Sequence, residues 1–173
     1  LRARPPSSSG SRLGTDQRAT AMTAPERVAP ARWRGPDGTG ARQLRTPILW
    51  GVIWGVLQAA SPLAFPWLDN ATVYAMEIVL IAAIYIGFSV ADGRSKVIAV
   101  ETGVATVFFV VAAIAVTGSA WLLVVGLLGH GLKDFWQHRT GFVAGTRWWP
   151  PFCAAVDVVA AALIAVLIAA DVQ

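Results

Sequence analysis

The chain has 173 residues, of which 55% are hydrophobic and 14% charged, with a mean hydropathy of +0.58 and a net charge of +4. That composition excludes an ordinary water-soluble domain and leaves lipid as the main solvent. Nine of the fourteen Lys and Arg residues precede Pro47, so the basic balance does not describe a folded face that tracks a phosphate backbone, and no nucleic-acid partner is expected. The one cysteine, Cys153, rules out an intrachain disulfide.

Residues 1–46 are rich in Arg, Pro, Gly, Ser and Ala and carry no apolar periodicity. They cannot bury enough surface to offset chain entropy and are expected to form a disordered basic cytoplasmic tail that rests on anionic lipid headgroups. The chain opens on Leu1, and Met22 is the more natural start. Arg42 and Arg45 ahead of an apolar run ending in Gln58-Ala59-Ala60 also suit a secretory signal cleaved near Ala60, but the run continues through Phe65 to Leu68.

From residue 47 to 173 the chain reads as an all-α integral membrane bundle of about five transmembrane helices, because only a helix of ~20 apolar residues satisfies its own backbone across the hydrocarbon core. The expected spans are 48–68, 71–91, 97–116, 120–138 and 151–170, separated by breakers such as Pro66 with Asp69-Asn70, Asp92-Gly93-Arg94, Thr117-Gly118-Ser119 and Gly141 through Pro150. With the tail inside, Arg94, Lys96, Lys133, Arg139 and Arg147 also fall inside, and the only charges outside are Asp69 and Asp171. Lys and Arg hold short loops in the cytoplasm, so the expected protein sits in the cell membrane with its N-terminus cytoplasmic and its C-terminus extracytoplasmic.

An ionisable side chain in mid-bilayer costs on the order of 3 kcal/mol and normally faces a protein interior with a partner. Glu77, Glu101, His130, Asp134, His138 and Asp157 are such groups, and Gln58 adds an uncharged one. Counting ~1.5 Å per residue from the cytoplasmic ends puts Glu101 ~6 Å deep, Asp134 ~7 Å, Asp157 ~10 Å and His130 ~13 Å, so these four share one layer. Glu77 lies at ~21 Å and Gln58 at ~16 Å, as a separate polar contact between helices or the outer end of a pathway.

His130, Asp134 and His138 stand at i, i+4 and i+8 on the fourth span. Neighbouring members chelate one ion readily, but the two histidines are ~12 Å apart along the axis. Either one pair binds a metal or Asp134 bridges two centres. Glu101 and Asp157 would complete a mixed nitrogen and oxygen site suited to Zn, Fe or Mn. Gly126, Gly129 and Gly131 let neighbouring helices come close around it. Lys133 is expected to snorkel to the cytoplasmic surface, and Gln137 and His138 to be interfacial.

The segment from about Tyr85 to Ile168 resembles a family of small bacterial polytopic membrane proteins of unknown function. The likeness rests on His130-x3-Asp134 followed by His138, a Pro-containing connector, then Cys153-x3-Asp157 opening an apolar helix, with Glu101 one span earlier. It implies no activity, but it places Cys153 and Asp157 in the same site.

Three functions compete at this stage. The first is a membrane-embedded metal-dependent enzyme acting on an apolar substrate. The second is a structural or accessory subunit of a larger membrane complex or a homo-oligomer. The third is a proton-coupled carrier or ion pathway, which the lack of an inverted repeat disfavours.

Overall fold

The computed structural model describes residues 40–170, and all regular structure among them is helical. Five α-helices run in chain order: α1 Gly40–Ala59, α2 Asn70–Asp92, α3 Ser95–Thr117, α4 Trp121–Thr140 and α5 Trp149–Ala169, with one 3-10 turn at Ser61–Ala64. Helices α2, α3 and α5 are long and apolar enough to cross a membrane, with mean hydropathies of 2.1, 2.3 and 2.7 over their most apolar stretches. The chain is a multi-pass helical membrane protein. Of the expected disordered tail over 1–46, residues 1–39 with Met22 lie outside the described residues, as does the C-terminal Asp171, whereas residues 40–46 are helical and form the first turns of α1.

Four helices begin and end within about a residue or two of the sequence expectation, because each is bounded by a residue that ends or starts a helix for a local reason. The Asp69 side chain accepts a hydrogen bond from the Thr72 N–H at 3.1 Å and caps α2. Gly93 (φ 77°) and Gly141 (φ 59°) close α2 and α4 in the left-handed conformation that costs glycine nothing. Pro150 and Pro151 occupy the first turn of α5, where a missing N–H is no loss.

The first helix differs from the expectation. It starts at Gly40, about two turns before Ile48, and ends at Ala59, about two turns before Leu68. The apolar run does extend to Leu68, but Pro62 ends regular α-helix within it, and the chain passes through the 3-10 turn instead. Pro47 lies inside α1 and is buried. At 20 residues each, α1 and α4 are still ~30 Å long.

The helices pack in an open series in which α1 lies on α5, α5 on α4, α4 on α3 and α3 on α2, with a smaller contact between α2 and α4. The chain's first and last described helices are thus intimate neighbours, whereas α1 and α2, adjacent in sequence, scarcely touch. The close α1 and α5 contact is made by Gly51 and Gly55, which present a groove one helical turn long. A Cβ on Gly51 would lie 2.5 Å from the Phe152 carbonyl oxygen, and one on Gly55 would lie 2.8 Å from that of Val156. Lipid offers no hydrophobic drive to pair helices, so this tight backbone approach is what holds α1 in place.

An apolar core of Tyr74, Ile78, Ala112, Leu123, Leu127 and Ile164 fills one half of the bundle. At that end the Tyr74 hydroxyl donates to the Ala59 carbonyl at 2.8 Å and anchors the end of α1. At the opposite end, Asp92 ties the α2–α3 turn to the α4–α5 connector. Its carboxylate takes two bonds from the Arg94 guanidinium, at 2.6 and 2.7 Å, a longer one from the Arg94 N–H at 3.4 Å and one from the Ala144 N–H at 2.7 Å. Arg94 also donates to the Phe142 carbonyl at 2.6 Å.

The glycine contacts give a contrast that thermal unfolding in detergent will read. Gly55→Leu is expected to destabilise by about 1–3 kcal/mol through overpacking. Gly87 and Gly103 have nothing within 4 Å of an added Cβ, so Gly87→Ala and Gly103→Ala should be neutral or stabilising by up to ~1 kcal/mol.

Candidate metal centre

The half of the bundle opposite the apolar core is polar inside. Helix α4 supplies His130 and Asp134 from one face, and α5 supplies Asp157 from across the interface; all three are buried. His130 Nδ1 lies 2.8 Å from Asp157 Oδ2 and 3.5 Å from Asp134 Oδ2. Gly131 permits this approach: a Cβ there would lie 3.3 Å from Asp157 Cβ, so any larger residue would push α5 and its carboxylate away. The imidazole packs edge-to-face with Phe108 and at a tilt against Tyr85, with ring centroids 5.0 and 5.7 Å away.

Three groups offer one ligand atom each within 4.8 Å of one another. Ligands bound at ~2.0–2.1 Å around a tetrahedral ion stand ~3.3 Å apart, and the two His130 separations bracket that figure. Charge points the same way. A protonated His130 against two carboxylates still leaves the trio one negative charge in excess, and both Asp134 oxygens and Asp157 Oδ1 are buried without a hydrogen-bond partner. Buried carboxylate oxygens need a proton or a cation.

The expected layer of four acidic and imidazole groups is therefore brought together in three of its members. Glu101 is buried nearby on α3, but its Oε2 lies 2.7 Å from Lys133 Nζ. Lys133 does not snorkel to the surface as expected: its side chain is 11% exposed, pairs with Glu101 and lies over the Tyr85 ring, 3.4 Å from the centroid. A buried carboxylate and an aromatic face one turn away outcompete water at the membrane surface. The ion pair is close but poorly aligned, since neither Nζ nor the Glu101 oxygens make a hydrogen bond of good geometry.

His138 does not join the trio. On an α-helix it is rotated ~80° from His130, whereas Gln137 is rotated only ~20° the other way. Gln137 is accordingly the buried residue of the two, at 1% exposure with both amide atoms unpartnered. Cys153 is buried on α5, one turn from Asp157. The Tyr85 hydroxyl lies beside Asp134 and Cys153 without an aligned hydrogen bond to either. The sequence alone gives Tyr85 no role in the site, sends Lys133 to the cytoplasmic surface and makes Gln137 interfacial. The i+7 spacing from His130 to Gln137 was the one available signal for the glutamine.

Gln58, Ser61 and Glu77 gather at a second place. They sit at one end of a cleft of about 330 Å³ in the gap between α1 and α2, and Cys153 and Asp157 form part of its floor on α5. Gln58 Nε2, Ser61 Oγ and Glu77 Oε2 are buried atoms without aligned partners. Asp157 is the one member of the trio that reaches the cleft wall.

Comparison of the chain with protein-family models, with curated proteins and with solved structures gives no match.

The Lys133 and Glu101 pair can be separated from the trio by a double-mutant cycle. Glu101→Gln should destabilise by about 3 kcal/mol, because it leaves a buried ammonium alone. Joining it with Lys133→Met should restore most of that loss, measured as unfolding midpoints in detergent.

Proposed function

We propose that the protein crosses the membrane five times and that His130, Asp134 and Asp157 hold a divalent metal ion, such as Zn, Fe or Mn, in an enzyme site for an apolar substrate. The carrying observation is the set of three unpartnered carboxylate oxygens packed around one imidazole in a lipid-surrounded interior. The donor set is one nitrogen with carboxylate oxygens, which suits these metals over soft ones. A bound divalent ion would neutralise the excess charge and supply a polarising centre, able to lower the pKa of a bound water toward ~7. His130 would bind through Nδ1, as the unprotonated imidazole. Asp157 also lines the cleft, so a ligand held by it would be within reach of whatever enters from the side.

Glu101 and Lys133 balance each other beside this centre and leave its charge unchanged. Tyr85, under the ammonium and next to Asp134, is placed to orient that carboxylate. A proton pathway would need polar groups between Glu77 and Asp157, and the cleft between them is lined by side chains such as Leu57, Ile81 and Val156. That lining favours the metal reading over a carrier.

The five-span topology is supported by the contacts of Asp92 and Arg94. They bring the α2–α3 turn and the α4–α5 connector to one end, where Lys96, Arg139 and Arg147 also cluster in sequence. A shared basic end is what the positive-inside rule requires of these two loops.

Two measurements test the proposal. Metal analysis of protein purified without chelator should find close to one ion per chain. His130→Ala, Asp134→Asn and Asp157→Asn should each bring it below about 0.2, while Glu101→Gln and His138→Ala retain it. Less than that in the parent chain would refute the metal reading. For topology, a cysteine at Ser119 should react with an impermeant thiol reagent from outside intact cells, and one at Ser95 only after permeabilisation.

A further inference from the structure

The cleft between α1 and α2 has two properties that are seldom combined. Its walls are hydrocarbon, with Trp54 and Leu57 on one lip and Leu80 and Ile84 on the other, each partly exposed, so the gap opens sideways toward the bilayer. One end nevertheless carries three buried polar groups without aligned partners: a donor on Gln58 and the Ser61 hydroxyl, both beside the Glu77 carboxyl. Leaving such groups unmet in lipid costs several kcal/mol in total.

The depth of that polar end restricts what can meet it. Glu77 lies ~21 Å from the inner face of a ~30 Å hydrocarbon core, hence roughly 9 Å below the outer one. A charged phosphate or carboxylate headgroup would not sink so far. A hydroxyl can sink, and it both accepts from Gln58 and donates to Glu77. Below it, Asp157 stands ~11 Å nearer the inner face, so a chain hanging from that hydroxyl would pass the Asp157 wall.

We infer that the cleft binds one chain of a neutral, hydroxyl-headed lipid, its hydroxyl held by Gln58, Ser61 and Glu77 and its hydrocarbon lying along α5 beside Cys153 and Asp157. This names the substrate class for the site proposed above. It rests on that reading for any reaction at Asp157, and on the cleft alone for binding. The lipid arrives laterally, through the gap that α1 and α2 leave between them. The metal centre then faces the chain and not the headgroup.

Photolabelling of the full chain in lipid nanodiscs tests this with three long-chain probes that carry a mid-chain diazirine: a primary alcohol, a carboxylic acid and a plain hydrocarbon. The alcohol should label cleft peptides containing Trp54, Ile84 or Phe152 roughly fivefold more than either of the others, the gain of about one hydrogen bond. Gln58→Leu with Glu77→Leu should level all three. Ile84→Trp should block labelling, and Leu57→Phe on the opposite lip repeats that test if Ile84→Trp does not reach the membrane. Equal labelling by the three probes in the parent chain, or none in the cleft, would overturn the inference. Metal content measured on the same samples separates the two ideas: alcohol-selective labelling of protein without metal would keep the lipid site and end the metal reading.

Discussion

Asp157 has no water to turn to. Its carboxylate is buried in a helix whose surroundings are hydrocarbon, so everything that stabilises its charge has to come from the protein or from something the protein holds. His130 provides one contact at 2.8 Å, and the remaining oxygen has none. The arrangement of α4 and α5 follows from this requirement. Gly131 lets the helices meet closely enough for imidazole and carboxylate to touch, and Phe108 and Tyr85 wall the imidazole in. The same rule operates one turn along α4, where Lys133 turns inward to Glu101 because a buried anion and an aromatic face are there to receive it.

Helix α5 is the hinge of the whole organisation. One side presents Asp157 to α4, another accepts Gly51 and Gly55 of α1, and the strip between them forms the floor of the cleft. Because α1 is drawn to α5 by glycine packing, it is kept from α2, and the gap between α1 and α2 is the geometric result. The polar half and the apolar half of the bundle also divide the work. Tyr74, Ile78, Leu123 and Ile164 supply ordinary packing at one end, which leaves the other end free to carry charged groups.

Much of the architecture was legible in the sequence. Helices α2, α3, α4 and α5 are apolar runs ended by Asp, Gly or Pro, so hydropathy and breakers locate them to about a residue or two. The first helix was misjudged because hydropathy does not register Pro62 in an apolar stretch, whereas backbone hydrogen bonding does. At the centre, the i, i+4 spacing of His130 and Asp134 and the depth of Asp157 were enough to group them. Three other residues were not legible for distinct reasons. Tyr85 looks like any aromatic in an apolar run, Gln137 was masked by the charged residues just after it, and Lys133 was assigned to the surface although Glu101 lies at nearly its own depth. The Gly51-x3-Gly55 repeat was visible and went unread, yet it sets the position of α1.

The pairing of α1 with α5 also bears on how the molecule comes into being. Ribosomes deliver the segment of α1 first and that of α5 last, so the glycine groove stays without its mate until synthesis is nearly over. During that interval α2, α3 and α4 can associate with one another, while α1 has only its Ala59 end to hold, through Tyr74. The acidic and imidazole groups of α4 wait equally for Asp157. The docking of α1 on α5 and the approach of Asp157 to His130 thus come together late, and a nascent chain halted before α5 would lack both.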